Sequence, residues 1–423
     1  MGSRPLQQRL EKLLRDRAAG FDLKISAALI VLDHHSGEVL AVIGSPDLFD
    51  TERQGYIDMT LALRSPGSTL KPLIYGLAFE AGLAHPESLV EDRPTAFGSY
   101  VPQNFDHTYR GTVSVRSALQ LSLNIPAVTA LDAVGPARLL ARMRRAGLAP
   151  RLPPGGRAPG LAIGLGGLGL SLRDLVTLYA GIARGGTAVA LVERLDAPRD
   201  TAAPRRFLSA GAAWQVADIL AGVPAPPTAA IGRVAYKTGT SYGHRDAWAI
   251  GFDGRHVVGV WIGRPDGASA PGIAGIDQAA PLLFEAFGRL GGERVALSPP
   301  PPGLLTVSNA ELPLPLRRLR RPGAGPPAAH SSPEIAFPPD GARVDLGLAA
   351  GMNRPGAAGL ALAGLALKVR NGTPPFTWLV NGRPLDTAAY ERAASWRPDG
   401  PGFISISVID ARGNSDRVRV FLQ

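Results

Sequence analysis

At Ser298 the chain changes character: four prolines, Pro299 to Pro302, and Gly303 follow in a row, and Pro/Ala/Arg-rich sequence runs on to about Ser332. Proline has a fixed φ and no amide hydrogen, so neither a helix interior nor a central strand can pass through such a stretch. Residues 298–332 therefore read as an extended linker dividing the 423 residues into a long N-terminal part and a short C-terminal one. The hydrophobic period differs on the two sides. After the linker, residues 333–423 give only short strands, at 334–337, 342–348, 365–369, 376–380, 403–409 and 418–422, with alternating Ile404, Ile406 and Val408. This pattern predicts a small all-β sandwich, immunoglobulin-like in size.

Before the linker, residues 25–297 mix helices and strands. An apolar run at 25–32 and a second at 38–43, separated by His34-His35-Ser36-Gly37, predict a hairpin. Runs at 233–238, 246–252 and 256–263 with polar turns between them predict a three-stranded meander. Helical periodicity marks 113–121, 127–146, 173–183 and 276–290. The expected class is α+β, an antiparallel sheet flanked by helices. Residues 1–24, with Leu6, Leu10, Leu13 and Leu14, read as a linker or the remnant of an amphipathic helix.

Hydrophobic residues at 45% and charged ones at 19% exclude general disorder. The net charge of +10 permits an anionic partner, but the arginines are scattered and no aromatic-interleaved basic stripe occurs, which argues against nucleic acid. Without cysteine the chain has no disulfide, no thiol nucleophile and no Cys-ligated zinc. No His-x-x-x-His pair occurs among seven histidines, which argues against a metal site; no cofactor is expected. No run of 18 apolar residues and no signal peptide is present, and the polypeptide as written is expected to be soluble.

The chemistry concentrates first at Arg64-Ser65-Pro66-Gly67-Ser68-Thr69-Leu70-Lys71-Pro72. Pro66-Gly67 reads as a turn and the apolar run after Pro72 as a buried helix beginning near Ser68. Ser68 and Lys71 then share a face, with the positive helix end favouring an oxyanion at Ser68. Only five of the 45 basic residues are lysines: Lys12, Lys24, Lys71, Lys237 and Lys368. Arginine cannot give up its proton, whereas a partly buried lysine beside another cation can, which makes Lys71 a candidate base for Ser68. The plainer alternative is an exposed helix-start serine with a surface lysine.

Two further stretches carry usable groups. In Gln120-Leu121-Ser122-Leu123-Asn124-Ile125-Pro126, Pro126 disfavours a helical Ile125, so Ser122 and Asn124 are expected on an exposed turn between helices. Lys237-Thr238-Gly239-Thr240 ends a strand; Gly239 lets another backbone approach, and the strand edge can pair with an extended peptide.

In this order, Ser68-x-x-Lys71, Ser122-x-Asn124 and Lys237-Thr238-Gly239 resemble the three-motif signature of penicillin-binding proteins and serine β-lactamases. The second motif is Ser-Leu-Asn rather than Ser-Asp-Asn. The flanking residues 64–72, 102–105, 118–127 and 237–245 look like a class A penicillin-binding protein of the 1C type. The tail, with Pro338-Pro339-Asp340-Gly341, Trp378-Leu379-Val380-Asn381-Gly382, Trp396 and Asp410-Ala411-Arg412-Gly413, resembles the β domain that closes that type. The loop 164–170 departs from the Glu-Val-Thr-like segment common in relatives.

The resemblance implies a D,D-transpeptidase that cross-links peptidoglycan stem peptides ending in D-Ala-D-Ala and is acylated by β-lactams. Ser68 would be the nucleophile, Lys71 its base, Ser122 the relay to the leaving amine and Lys237 the electrostatic support. Asn124 would bind the donor's amide side chain, Thr238 and Thr240 the terminal carboxylate, and the Ser68 and Thr240 amides would form the oxyanion hole. It further implies a place on the periplasmic side of a bacterial inner membrane, a cell-wall protein as candidate partner of the C-terminal domain, and a membrane anchor and glycosyltransferase domain upstream of residue 1 that this sequence lacks. Two rival readings stand beside it: a D,D-carboxypeptidase or β-lactamase-like hydrolase, and a non-catalytic peptidoglycan-binding or sensor module. His244, Asp246, Trp248 and Trp261 are expected to be structural.

Overall fold

A computed structural model describes residues 4–153, 160–193, 205–227, 229, 233–292, 294–319, 333–345, 364–386, 390–411 and 413–423. The chain forms two compact units, 1–322 and 323–423. Residues 320–332 of the expected linker and 346–348 of an expected strand lie outside the described residues.

The first unit opens with helix α1 (Arg4–Ala18) and the hairpin β1 (Ser26–Asp33) and β2 (Val39–Ile43). Helix α2 (Lys71–Glu80) follows, then a small ribbon of β3 (Leu89–Asp92) and β4 (Gly111–Ser114). Helices α3 (Val115–Gln120), α4 (Asn124–Val134), α5 (Pro136–Arg145), α6 (Leu172–Ala183) and α7 (Ala210–Ala221) come next. The meander β5 (Ala235–Thr240), β6 (Asp246–Phe252) and β7 (His256–Gly263) and helix α8 (Ala280–Gly288) complete the set. The main sheet has the order β2-β1-β7-β6-β5, antiparallel throughout.

Every residue of β1 is buried, because both faces of the sheet are covered. Ala28, Ile30 and Leu32 pack with the larger helical layer that contains α2, α4, α6 and α7. Ala27, Leu29 and Val31 pack under α1 and α8. A strand covered on both sides needs apolar residues at consecutive positions, which is why 27–32 reads as an unbroken apolar run. Over Arg4–Ala18 the segment is a packed helix rather than a linker. Leu6, Leu10, Leu13 and Leu14 are all buried in the same layer as α8.

The proline-rich segment also departs from expectation over its described part. Leu89 donates its amide to the Arg317 carbonyl at 2.9 Å and accepts from the Leu319 amide at 2.9 Å, so this segment adds to β3 as a short parallel edge. Asn309 Nδ2 donates to the Glu87 carbonyl at 2.8 Å, Ser88 Oγ donates to the Leu316 carbonyl, and Leu319 is buried in the helical layer. Prolines are compatible with such an edge because its outer side needs no amide donors.

Pro126 does not hold Ile125 out of the helix. Helix α4 starts at Asn124, and Pro126 falls in its first turn, where an amide hydrogen has no intrahelical partner. The helix expected over 127–146 is two helices broken at Gly135, whose φ of +92° few other residues adopt.

The second unit contains β8 (Glu334–Phe337), β9 (Arg343–Val344), β10 (Leu365–Arg370), β11 (Thr377–Val380), β12 (Arg383–Pro384), β13 (Ala393–Trp396), β14 (Gly402–Ile409) and β15 (Ser415–Leu422). They form two sheets, β13-β10-β8 and β12-β11-β14-β15-β9. The sheets share one core, with Leu367 and Val369 from the first and Trp378, Ile406, Val408 and Val420 from the second.

Candidate active site

The turn that carries Ser68 is a single 3-10 turn, Gly67–Leu70, running straight into α2. In such a turn residues three apart eclipse, so Lys71 stands over Ser68, and its amide donates to the Ser68 carbonyl. Three contacts from distant elements pin the turn. Tyr179 on α6 donates its hydroxyl to the Thr69 carbonyl at 2.9 Å, Trp248 on β6 donates its indole N–H to the Ser65 carbonyl at 2.9 Å, and Ser65 Oγ donates to the Gly166 carbonyl at 2.8 Å.

Strand β5 lies against this turn at Gly239. A Cβ there would stand 2.7 Å from Thr69 Cγ2 and 2.9 Å from the Pro66 carbonyl oxygen. Gly67, at φ +52°, approaches the Thr240 backbone as closely: a Cβ would come within 2.5 Å of the Thr240 oxygen and 3.3 Å of its nitrogen. The two glycines let the backbone of the 66–69 turn lie directly against that of Gly239 and Thr240.

Ser122 closes the triangle. It sits after α3 with φ +59°, a left-handed conformation unusual for a residue with a Cβ. Lys71 Nζ donates to the Ser122 carbonyl at 2.5 Å and to Asn124 Oδ1 at 2.6 Å, and lies 3.3 Å from Ser122 Oγ. Lys237 Nζ donates to Ser122 Oγ at 2.8 Å and to the Thr238 carbonyl at 2.9 Å. Both lysines are buried, at 0% and 2% exposure. Burial pushes the Lys71 ammonium well below its ordinary pKa, and the neighbouring Lys237 charge acts in the same direction, with Asp92 opposing. Burial alone brings Lys237 down to about 7.

The Ser122 carbonyl and Asn124 Oδ1 can only accept, so each takes one hydrogen of the Lys71 amine whether or not it is charged. No hydrogen bond joins Ser68 Oγ to Lys71 Nζ among the described residues; bonds of this kind tighten when substrate is in place.

The structure thus brings Ser68, Lys71, Ser122, Asn124, Lys237, Gly239 and Thr240 into one neighbourhood, with Thr238 beside Lys237. Asn124 differs from expectation in one respect. Both ends of its amide are engaged inside the protein, Oδ1 with Lys71 and Nδ2 with the Gln103 carbonyl at 2.6 Å. Thr240 Oγ1 accepts from the Gly275 amide at 3.2 Å.

Asp246, Trp248 and Trp261 are structural: the tryptophans are fully buried, and Asp246 accepts from Trp261 Nε1 and Ser241 Oγ. His244 faces the Ile273 carbonyl through Nδ1 and packs edge-on against Phe105. Two buried residues stand behind Lys71: Asp92, which sequence reasoning passed over, and Asn104, which it weighed as a residue near the motifs and did not assign. The segment Pro102-Gln103-Asn104-Phe105 was the available signal for the second; a carboxylate ending an unrecognised strand gave none for the first.

Among known proteins, residues 27–263 match the family described as penicillin binding protein transpeptidase domain, and residues 323–420 match the Penicillin-Binding Protein C-terminus Family. Penicillin-binding protein 1C of Escherichia coli (strain K12) is 47% identical over 282 residues, covering 66% of this chain and 36% of that protein. Penicillin-binding protein 1F of Bacillus subtilis (strain 168) is 31% identical over 265 residues, covering 58% of this chain and 36% of its own length. The chain thus spans about a third of the curated relatives it matches. The solved structure of the PonA1 protein from Mycobacterium tuberculosis in complex with penicillin V superposes with a TM-score of 0.60 at 21% identity, covering 71% of this chain and 87% of that one. The transpeptidase match takes in more than half of the chain and contains all three motifs that meet at the site, and by it this chain belongs to the penicillin-binding protein transpeptidase family.

Proposed function

We propose that the chain is a serine D,D-transpeptidase that acylates Ser68 with the stem peptide of peptidoglycan and passes the acyl group to a neighbouring strand's amine. The observation that carries this reading is the convergence of two buried lysines on Ser122 beside the Ser68 turn. Ser68 Oγ attacks the penultimate carbonyl of a D-Ala-D-Ala terminus and its proton passes to Lys71. The C–N bond then breaks, and Ser122 hands the proton on to the departing D-Ala amine. The acceptor amine attacks the resulting ester and restores Ser68. Each oxyanion donor, Ser68 N and Thr240 N, is worth roughly 3 kcal/mol in the transition state. Thr238 and Thr240 with the Lys237 charge bind the terminal carboxylate. Asn124 meets the donor's amide side chain with the second hydrogen of Nδ2, beyond the one it gives to Gln103.

A β-lactam presents the same carbonyl and acylates the same serine. Incubation with a labelled penicillin and intact-mass detection should give one adduct, absent in Ser68→Ala. A stem peptide supplied with a D-amino acid acceptor should give exchanged product; hydrolysed product alone would reject transfer in favour of a carboxypeptidase.

The remaining assignments follow the family. Residues 25–297 form the catalytic domain and residues 333–423 an immunoglobulin-like sandwich with a cell-wall protein as its partner, both acting on the periplasmic side of a bacterial inner membrane. No helix among the described residues is long and apolar enough to cross a membrane. No glycosyltransferase activity is assigned to these residues.

A further inference from the structure

Asn104 Nδ2 donates to both oxygens of Asp92, at 2.8 and 3.0 Å, and to the Thr108 carbonyl at 2.8 Å. All these partners only accept, so the amide has one orientation: turned over, its oxygen would face three other oxygens. Asn104 Oδ1 is thereby aimed at the Asn124 amide, which it accepts at 2.8 Å. That amide is the first of α4 and has no partner inside its own helix. Asn124 Oδ1 in turn accepts from Lys71 at 2.6 Å. Asp92 is itself fixed, ending β3 opposite Gly111 and accepting the Arg110 amide at 2.8 Å, and both it and Asn104 are buried. None of these bonds touches the Ser68 turn or the strand edge of β5.

We propose that Asp92, acting through Asn104, is a positioning residue for the transpeptidase reaction: its carboxylate sets the Asn104 amide, which holds the start of α4 so that Asn124 presents its oxygen to Lys71. The inference rests on the reading of Ser68 and Lys71 as nucleophile and base. A carboxylate suits the far end of this relay because it accepts from Asn104 and Arg110 together. In Asp92→Asn one of those donors would face an N–H.

The test is the rate of covalent adduct formation with a labelled penicillin, resolved into a limiting rate and the concentration giving half that rate. Asp92→Asn and, as a second variant, Asn104→Ala should lower the limiting rate by about tenfold to a hundredfold, the scale of an ångström-sized misplacement. The half-saturating concentration should be little changed. In an Asn124→Ala background, Asp92→Asn should cost clearly less than it does alone, since the relay has nothing left to aim and only the direct effect of the Asp92 charge on Lys71 remains. Partial unfolding lowers the amplitude of labelling and leaves the rate comparison intact, because only folded molecules form adduct. An unchanged limiting rate in both variants, or the same fold-loss with and without Asn124, would overturn the relay. Failure of the wild-type protein to be acylated, or labelling of Ser68→Ala, would instead overturn the reading on which it rests.

Discussion

Lys237 donates to the hydroxyl oxygen of Ser122 at 2.8 Å, while Lys71 holds the carbonyl of the same residue at 2.5 Å. One strained residue therefore separates two buried ammonium groups, and the site is easiest to hold with one of them neutral. Lys71 is depressed by burial and by the Lys237 charge together and stands over Ser68, so it is the one placed to take a proton. Lys71→Arg keeps a positive charge that cannot dissociate. The rate of penicillin acylation should fall by about 10³-fold in Lys71→Arg and as far in Lys71→Ala, within the usual range for loss of a general base. A Lys71→Arg enzyme within tenfold of wild type would remove Lys71 from that role.

Burial of Lys237 has a consequence for stability. Its pKa falls from 10.5 in the unfolded chain to about 7 in the folded one, so between these values the unfolded state binds more protons. Stability then rises with pH across that window, by at most about 1.4 kcal/mol per pH unit for one proton. Below pH 7 the full penalty of burying the charge is present, and above 10.5 it is gone. In Lys237→Met this dependence disappears. Chemical denaturation from pH 6 to 10 should show wild type gaining on the variant as pH rises, and a constant difference would contradict a depressed Lys237.

The three motifs were legible because their chemistry depends on residue type at short, fixed spacing: Ser68 and Lys71 within one turn, Ser122 and Asn124 across a helix start, Lys237 to Thr240 along one strand. The central strands β1, β6 and β7 were legible because two-sided burial makes their interiors mostly apolar. The relay behind Lys71 was not, since Asp92 and Asn104 lie in a polar, proline-punctuated stretch where no periodicity marks a buried residue. Pro126 was misread by applying the rule for the residue before proline without the first-turn exception that also admits Pro72. The linker was misread because composition shows that a segment forms no core of its own but not that a free strand edge, here β3, is waiting for it.

Gly239 is the residue whose substitution should separate the two halves of the site. Its added methyl would meet the Pro66 carbonyl and Thr69, and neither can retreat easily: Thr69 is tied to Pro66 by its amide and hydroxyl, and its carbonyl is held by Tyr179. Gly239→Ala should push β5 away from the Ser68 turn, lowering acylation about 100-fold and stability by about 1–3 kcal/mol. The adduct rate and the denaturation midpoint, measured on the same preparation, check both. Wild-type acylation in Gly239→Ala would mean that the turn and the strand are not held in register by this contact.

The described part of the proline-rich segment yields the last expectation. If it were a tether, changing an apolar side chain within it would leave stability within about 0.5 kcal/mol of wild type. Leu319 is instead buried in the helical layer and its amide closes the parallel pairing with Leu89. Leu319→Ala in the full chain should therefore destabilise the first unit by about 2 kcal/mol, the low end for a leucine truncated in a core, because the residue lies at the layer's margin. Glu87, Ser88 and Leu89 all bond to this segment, and β3 ends at Asp92, so hydrogen exchange of the Leu89 amide should quicken in the variant. Unchanged exchange at Leu89 together with unchanged stability would return residues 304–319 to the status of a linker.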